Sequence, residues 1–196
     1  MADVEDKLTP IQSFLGPLFP LLAEEKIAIL FGLTNVQLKL ENTCNNATDF
    51  NARSLGYSTA RLRECGEQLF QSCWFKTTTF DNERYLSMLQ QDIIYDINQF
   101  EPSSEVLVEF MKRQTMYQNI QSYRGAMKYG PIEDYEEYLQ AKQNLQNITA
   151  VGSFYTLIGI CWIKFGKEAT AKQLIGNKII NGPNGLIRLT TQLSRT

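Results

Sequence analysis

The residues best suited to redox or metal chemistry are four cysteines, in a chain that contains no histidine. They are Cys44, Cys65, Cys73 and Cys161, and no two of them have the CxxC spacing of a zinc ribbon or a redox motif. Without histidine the chain can form no Ser-His-Asp triad, no Cys-His pair and no zinc or haem site that needs an imidazole. We therefore expect no catalytic site, no metal site and reduced cysteines.

Carboxylates and phenols are the remaining side chains that could act at a site. Asp92 and Asp96 are four residues apart and share one face of a predicted helix. Paired carboxylates can do acid–base work, although a solvated helix face is the simpler interpretation. Tyrosines crowd the chain around Gly130, where they could line the pocket of a flat ligand or serve ordinary helix packing: Tyr117, Tyr123, Tyr129, Tyr135 and Tyr138. Binding is therefore favoured over catalysis.

The end of the chain is basic. Residues 164–196 contain one acidic side chain, Glu168, and six basic ones: Lys164, Lys167, Lys172, Lys178, Arg188 and Arg195. Such a tail predicts either a docking surface for an acidic partner or membrane face, or a solvated terminal helix. The formal net charge of −2 and the lack of interleaved aromatic residues in the tail argue against a nucleic-acid partner.

The elements that must position these residues are helices. The 196 residues, 43% of them hydrophobic, suit one globular domain. Apolar residues at three- and four-residue steps predict helices over 8–22 (broken by prolines), 23–40, 58–74, 82–100, 105–123, 132–145, 148–165 and 186–193. We predict an all-α fold, a single domain of seven to nine helices. Residues 1–165 form its body, and 166–196 form a basic C-terminal extension that is helical and docks on the body or on a partner.

The sequence predicts neither a secretory signal nor a transmembrane segment. The first seven residues are acidic and lead into no secretory apolar region. The longest apolar stretch, residues 151–165, is shorter than the roughly 20 residues that cross a bilayer. We therefore expect a cytoplasmic protein without a transmembrane segment.

Several short fragments stand in the order of similar fragments in one known family. They are residues 22–27 (LAEEKI), 38–43 (LKLENT), 63–71 (RECGEQLFQ), 129–133 (YGPIE) and 151–155 (VGSFY). Together they resemble the phycobiliproteins, the globin-like light-harvesting subunits that bind linear tetrapyrroles, over roughly residues 22–160. The resemblance implies a globin-like helical fold and a role in a pigment-bearing oligomer.

The resemblance also implies a ligand site. Arg84 and Asp92, eight apart on one predicted helix, resemble the residues that hold a bilin's propionate and its pyrrole nitrogens. The family's bilin-attaching cysteine would fall at Leu89 and its neighbouring arginine at Gln91, so covalent attachment at the usual position is excluded. A bilin held non-covalently, or no pigment, is expected. With the tyrosine cluster, the candidate cofactor-binding residues are Arg84, Asp92, Tyr117 and Tyr129.

Two functions follow from these observations. The first is a non-enzymatic binding or assembly subunit that holds a linear tetrapyrrole non-covalently or docks into a pigment complex, with protein partners in a homo- or hetero-oligomer. The alternative is an all-helical structural protein, a self-assembling coat or scaffold subunit without a ligand. An enzyme ranks below both, because no spacing in the sequence reveals a catalytic constellation.

Overall fold

The computed structural model describes residues 2–41, 55–80, 102–121 and 135–193. The α-helices of these parts are α1 (Ala2–Leu15), α2 (Ala23–Leu30), α3 (Thr59–Phe80), α4 (Ser104–Arg113), α5 (Tyr135–Phe165), α6 (Lys167–Ala169) and α7 (Leu186–Leu193). A 3-10 turn (Tyr117–Asn119) follows α4, and a π-helix (Thr170–Ile180) continues α6. Two short strands, β1 (Gln37–Leu40) and β2 (Leu55–Ser58), complete the described elements. The protein is mostly helical, which confirms the predicted class.

The small sheet corrects the helix predicted over 23–40. Helix α2 ends at Leu30, and β1 then pairs antiparallel with β2, with Leu38 opposite Tyr57. The side chains of β1 alternate between exposed and buried, so its two leucines fit the two-residue period of a strand. Apolar residues two apart are compatible with either element over so short a run, and the pairing with β2 decides between them.

Helix α5 corrects a predicted break. The sequence predicts separate helices over 132–145 and 148–165, whereas one helix of 31 residues runs through both from Tyr135. Thr149, just after the expected break at residues 146–147, donates its hydroxyl to the carbonyl of Leu145 at 2.7 Å, inside the helix. The side-chain oxygen of Asn147 accepts from Tyr117 at 2.7 Å. The Asn147 side chain is thus engaged by Tyr117, and the Thr149 hydroxyl binds the carbonyl one turn back within the helix, so the helix continues.

Helices α3 and α4 end at other residues than predicted. Helix α3 passes through the three threonines expected to stop it, since Thr77 and Thr78 donate to the carbonyls of Cys73 and Trp74 at 3.0 and 2.9 Å. Helix α4 ends at Arg113, well before the predicted residue 123. Its end lies close to Thr115, which has the positive φ of 57° that no helix continues through.

Helices α3 and α5 form the centre of the core. Glycines allow their backbones to touch: a Cβ at Gly159 would meet the Leu62 carbonyl oxygen, and one at Gly66 would meet that of Tyr155. Beside this crossing, the rings of Phe70 and Phe154 meet edge to face with centroids 5.1 Å apart. The contact fixes the spacing of α3 and α5, and these two helices provide the walls of the groove described below.

Helix α5 is the one described helix that is long and apolar enough to span a membrane. Its most apolar window has a mean hydropathy of 1.5, and 67% of that window is buried inside the fold. The helix is thus longer than the apolar stretch seen in the sequence. A core helix of a soluble protein has the same length, composition and burial.

The tail after Gly166 belongs to the same core as the helices before it. Its apolar side chains are fully buried: Leu174, Ile175, Ile179, Ile180, Leu186 and Leu189. Lys178 donates to the carbonyls of Phe14 and Leu15 at 2.7 and 2.8 Å, and so holds the last turn of α1. Lys164 is buried against Glu25. Exposed basic residues of the tail within the described range are Lys167, Lys172 and Arg188, so only part of the predicted basic surface faces solvent.

Candidate functional site

Of the four residues predicted to bind a cofactor, Tyr117 is described, and Arg84, Asp92 and Tyr129 lie outside the described residues. Tyr117 begins the 3-10 turn after α4, and its hydroxyl donates to the Asn147 side-chain oxygen at 2.7 Å. The Gln143 amide donates both to this hydroxyl and, at 3.1 Å, to the same Asn147 oxygen. The phenol therefore connects the turn to α5.

The environment of Tyr117 makes its phenol harder to ionise. Burial raises the pKa of the Tyr117 phenol above its usual value, and the hydrogen bond from Gln143 opposes that rise. The Lys112 ammonium lies 5.2 Å from the ring centroid, in the range of a cation–π contact. Elsewhere in the tyrosine cluster, Tyr135 and Tyr138 stack on each other with centroids 6.3 Å apart.

A groove of about 300 Å³ begins beside this tyrosine, because Asn147 belongs to both. One wall comes from α3 and the other from α5, while the loop after α2 and the first residue of α4 close the ends. The lining residues are Leu33, Arg63, Glu67, Ser104, Asn147, Ile148, Val151, Gly152 and Tyr155. The groove thus joins four segments that are far apart in the chain.

Two opposite charges lie on the α3 wall of the groove. Arg63 and Glu67 are four residues apart, hence on one face of the helix. Arg63 donates one N–H to the Gly32 carbonyl at 2.9 Å, which turns its guanidinium toward the loop after α2. Within the described parts of the chain, Glu67 has no hydrogen bond or ion pair, with Arg63 or with any other residue. The wall therefore presents a carboxylate and several guanidinium N–H groups that have no partner among the described residues.

The opposite wall and the loop after α2 are largely apolar. Ile148 is 57% exposed and Leu33 is 38% exposed, while Val151 is half-buried. Gly152 brings α5 against the loop after α2, since a Cβ there would lie 2.9 Å from the Gly32 carbonyl oxygen. The Asn147 amide nitrogen adds a donor, because only its oxygen is bound to Tyr117 and Gln143. Apolar surface and a few converging polar groups are what small-ligand sites share.

Helix α4 contributes its N-terminus to the end of the groove. The Ser103 hydroxyl caps the helix by accepting from the Val106 N–H at 3.4 Å, and Ser104 lines the groove. The first turn of an α-helix carries partial positive charge. This charge lies at the same groove as the Arg63 guanidinium.

The described cysteines, Cys65, Cys73 and Cys161, form no comparable site. Cys161 is fully buried, and burial together with the nearby Glu25 carboxylate raises the pKa of its thiol, which Lys164 opposes. Burial also raises the pKa of Cys73 against the opposing effect of Lys167 and Lys76. No group of metal-ligating side chains occurs in the described ranges. A raised pKa lowers the thiolate fraction, so both thiols are poor nucleophiles.

A second, wider groove runs between α1 and the start of α2. It measures about 660 Å³ and is lined by Glu5, Leu8, Thr9, Gln12, Ser13, Gly16, Pro17, Ala23 and Lys26. Its central polar side chains bind the local backbone: Thr9 donates to the Glu5 carbonyl, and Gln12 bridges the Gly16 carbonyl and the Leu21 N–H. Thr9 and Gln12 are thus bound within the fold, although the charged Glu5 and Lys26 also line this groove. The groove between α3 and α5 differs from it in the exposed aliphatic side chains of Leu33 and Ile148.

Sequence reasoning missed the groove. In the sequence, Arg63 and Glu67 stood out only as part of the fragment 63–71 that resembles phycobiliproteins. Asn147 was placed at a helix break, and Ile148 at the start of the next helix. A charge pair one turn apart was the available signal, but such pairs are common on solvated helix faces. No family model, curated protein or solved structure matches this chain.

Proposed function

We propose that this protein is a non-enzymatic binding subunit, with its site in the groove between α3 and α5. The observation that carries the proposal is that the Glu67 carboxylate and most of the Arg63 guanidinium have no partner among the described residues and line one cavity together with apolar side chains. Charged groups that a fold does not use itself are available to a ligand, and the apolar wall supplies contact area. The ligand is therefore small and amphipathic.

The size of the groove limits the ligand. Ligand pockets commonly measure roughly 300–1,000 Å³, and about 300 Å³ lies at the lower end of that range. A bilin, which the phycobiliprotein resemblance implies, would enter with one part and leave the rest outside. Its propionate suits Arg63, and Tyr117 adjoins the groove through Asn147. A non-covalent bilin and a globin-like arrangement of the helices stay part of the proposal.

A dye that combines an apolar body with an anion tests the groove directly. We expect anilinonaphthalene sulfonate fluorescence to rise on binding to the native protein, and Ile148→Glu to weaken that binding about tenfold by placing an anion on the apolar wall. Leu139→Glu is the matched control, because Leu139 is also exposed on α5 but does not line the groove. Equal loss in both variants, or none in either, would contradict the proposed site.

An absorption spectrum tests the bilin separately. The protein is produced with and without a bilin-synthesising pathway, purified under native conditions and examined from the near ultraviolet through the visible. A visible band that is lost on denaturation supports a non-covalent tetrapyrrole. A flat spectrum in both preparations would contradict bilin binding, and the dye titration would then be the test of the groove.

The alternative function, a self-assembling scaffold subunit, has one observation in its favour. Leu18 and Leu22, in the turn between α1 and α2, are 61% and 56% exposed, and exposed apolar side chains of this size favour association of copies. Sedimentation velocity over a range of concentration and salt distinguishes the two functions. A large species together with no dye binding in the groove would favour the scaffold, whereas a monomer would exclude it.

A further inference from the structure

We propose that the groove between α3 and α5 recognises a small zwitterion with an apolar side chain, of the class of the aliphatic α-amino acids. This inference rests on the proposed binding function and names its ligand class. It begins from charges that line one cavity and have no partner in the part of the chain that the structure describes: the Glu67 carboxylate and most of the Arg63 guanidinium.

The spacing of these charges suits both ends of an amino acid. Side chains four residues apart on a helix have Cβ atoms about 5–6 Å apart, which normally allows them to form an ion pair. Here the Gly32 carbonyl holds Arg63 at 2.9 Å, and no ion pair with Glu67 forms. An ammonium group bound by Glu67 and a carboxylate bound by Arg63 would bridge the gap, with each charge-assisted hydrogen bond stronger than a neutral one.

The end of the groove at α4 adds to the carboxylate side. Ser104 is the first residue of a capped helix of 10 residues, and the partial positive charge of its N-terminus favours an anion. The Asn147 amide nitrogen is a further donor on the α5 wall. Glu67 is the carboxylate that lines the groove and suits an ammonium group.

The apolar part of the ligand has its own place. Leu33, Ile148 and Val151 supply aliphatic surface, and two of them are exposed in the unliganded protein. Covering such surface with a branched aliphatic side chain removes apolar area from water at both partners. A cavity of about 300 Å³ accommodates one residue of this kind rather than a long peptide.

Titration of the full chain with L-leucine, followed by two-dimensional amide NMR, tests the inference. We expect saturable shifts at residues of the groove, at least about tenfold weaker binding of leucinamide, which lacks the carboxylate, and similarly weaker binding of N-acetyl-leucine, which lacks the ammonium. Binding of N-acetyl-leucine as tight as that of leucine would overturn the zwitterion, as would the absence of saturable shifts with leucine.

A single substitution locates the ammonium site. Glu67→Gln is expected to weaken leucine binding about tenfold and to leave N-acetyl-leucine unchanged, because only the amine loses its partner. Glu64→Gln is the control, since Glu64 lies exposed on the same helix outside the groove. An unchanged leucine affinity in Glu67→Gln contradicts the assignment. If the dye binds the groove while leucine does not, the zwitterion fails and the proposed binding function stands.

Discussion

The protein uses two pairs of opposite charges in opposite ways. Glu25 and Lys164 are 139 residues apart in the chain, and the ammonium lies 2.8 and 2.7 Å from the two carboxylate oxygens, with Glu25 1% and Lys164 7% exposed. Arg63 and Glu67 are one helical turn apart, half-buried and not bonded to each other. The two residues that are distant in sequence form an ion pair, whereas the two that are near in sequence do not and instead line a groove.

Burial explains the difference. A carboxylate out of water must have its lone pairs bound, and Glu25 accepts from the Leu22 N–H at 2.6 Å as well as from Lys164. The pair therefore fixes the start of α2 against the last turn of α5. At the groove water still reaches both groups, so neither needs the other. A carboxylate and a cation thus stabilise the fold at Glu25 and Lys164, whereas at Arg63 and Glu67 the same kinds of group are available to bind a ligand.

Removing one partner of the buried pair should have the largest effect. Lys164→Met leaves the Glu25 carboxylate buried without its cation, and we expect the free energy of unfolding to fall by about 3–5 kcal/mol. Urea denaturation followed by circular dichroism measures the loss.

The control for Lys164→Met is the double variant Glu25→Gln/Lys164→Met. It buries no ionised group, and the glutamine oxygen can still accept from Leu22, so we expect roughly half of the lost stability to return. A double variant less stable than the single one would show that the charge itself is not the cause.

Tyr117→Phe should have an intermediate effect, because it removes the hydroxyl bound to Asn147 and Gln143. We expect a loss of about 1 kcal/mol at neutral pH, against almost none for the exposed Tyr135→Phe. The raised pKa of Tyr117 means that the unfolded chain loses this proton first, so the contribution is present below pH 10 and is lost as pH rises through the native pKa.

Thermal unfolding of the native protein and Tyr117→Phe from pH 7 to 11 measures this contribution. The difference in stability between them should shrink above pH 10. A constant difference across the range would mean that the phenol keeps no more of its proton in the native state than in the unfolded state.

The smallest effect on stability is expected at the groove. Glu67→Gln removes a charge that binds no described residue, so the free energy of unfolding should change by no more than about 0.5 kcal/mol, as for the exposed Glu64→Gln. The same urea titration applies. A loss as large as that of Lys164→Met would show that Glu67 holds the fold, and the contrast between the two pairs would disappear.

Local pattern predicts much of the fold and little of the site. The helical period predicts α3 from a stripe of Leu62, Cys65, Leu69 and Cys73, of which the two leucines are buried and the two cysteines half-buried. The helical period wrongly predicts a helix at Gln37–Leu40, where two leucines suit a helix or a strand. It also misses the continuation of α5 through Asn147, a residue type that often ends helices, because the Asn147 side chain here accepts from Tyr117. Arg84, Asp92 and Tyr129 lie outside the described residues, so their role stays a prediction.

By itself the sequence determined the helical class, the absence of imidazole chemistry and the apolar faces of the helices, because these depend on residue types and on spacing within one turn. Tertiary structure decided that Lys164 closes on Glu25 while Arg63 turns to Gly32, and that α3 and α5 meet at glycines closely enough to frame a groove. Whether a charge is paired depends on its burial and on partners from distant segments. Spacing along the chain does not encode either of these.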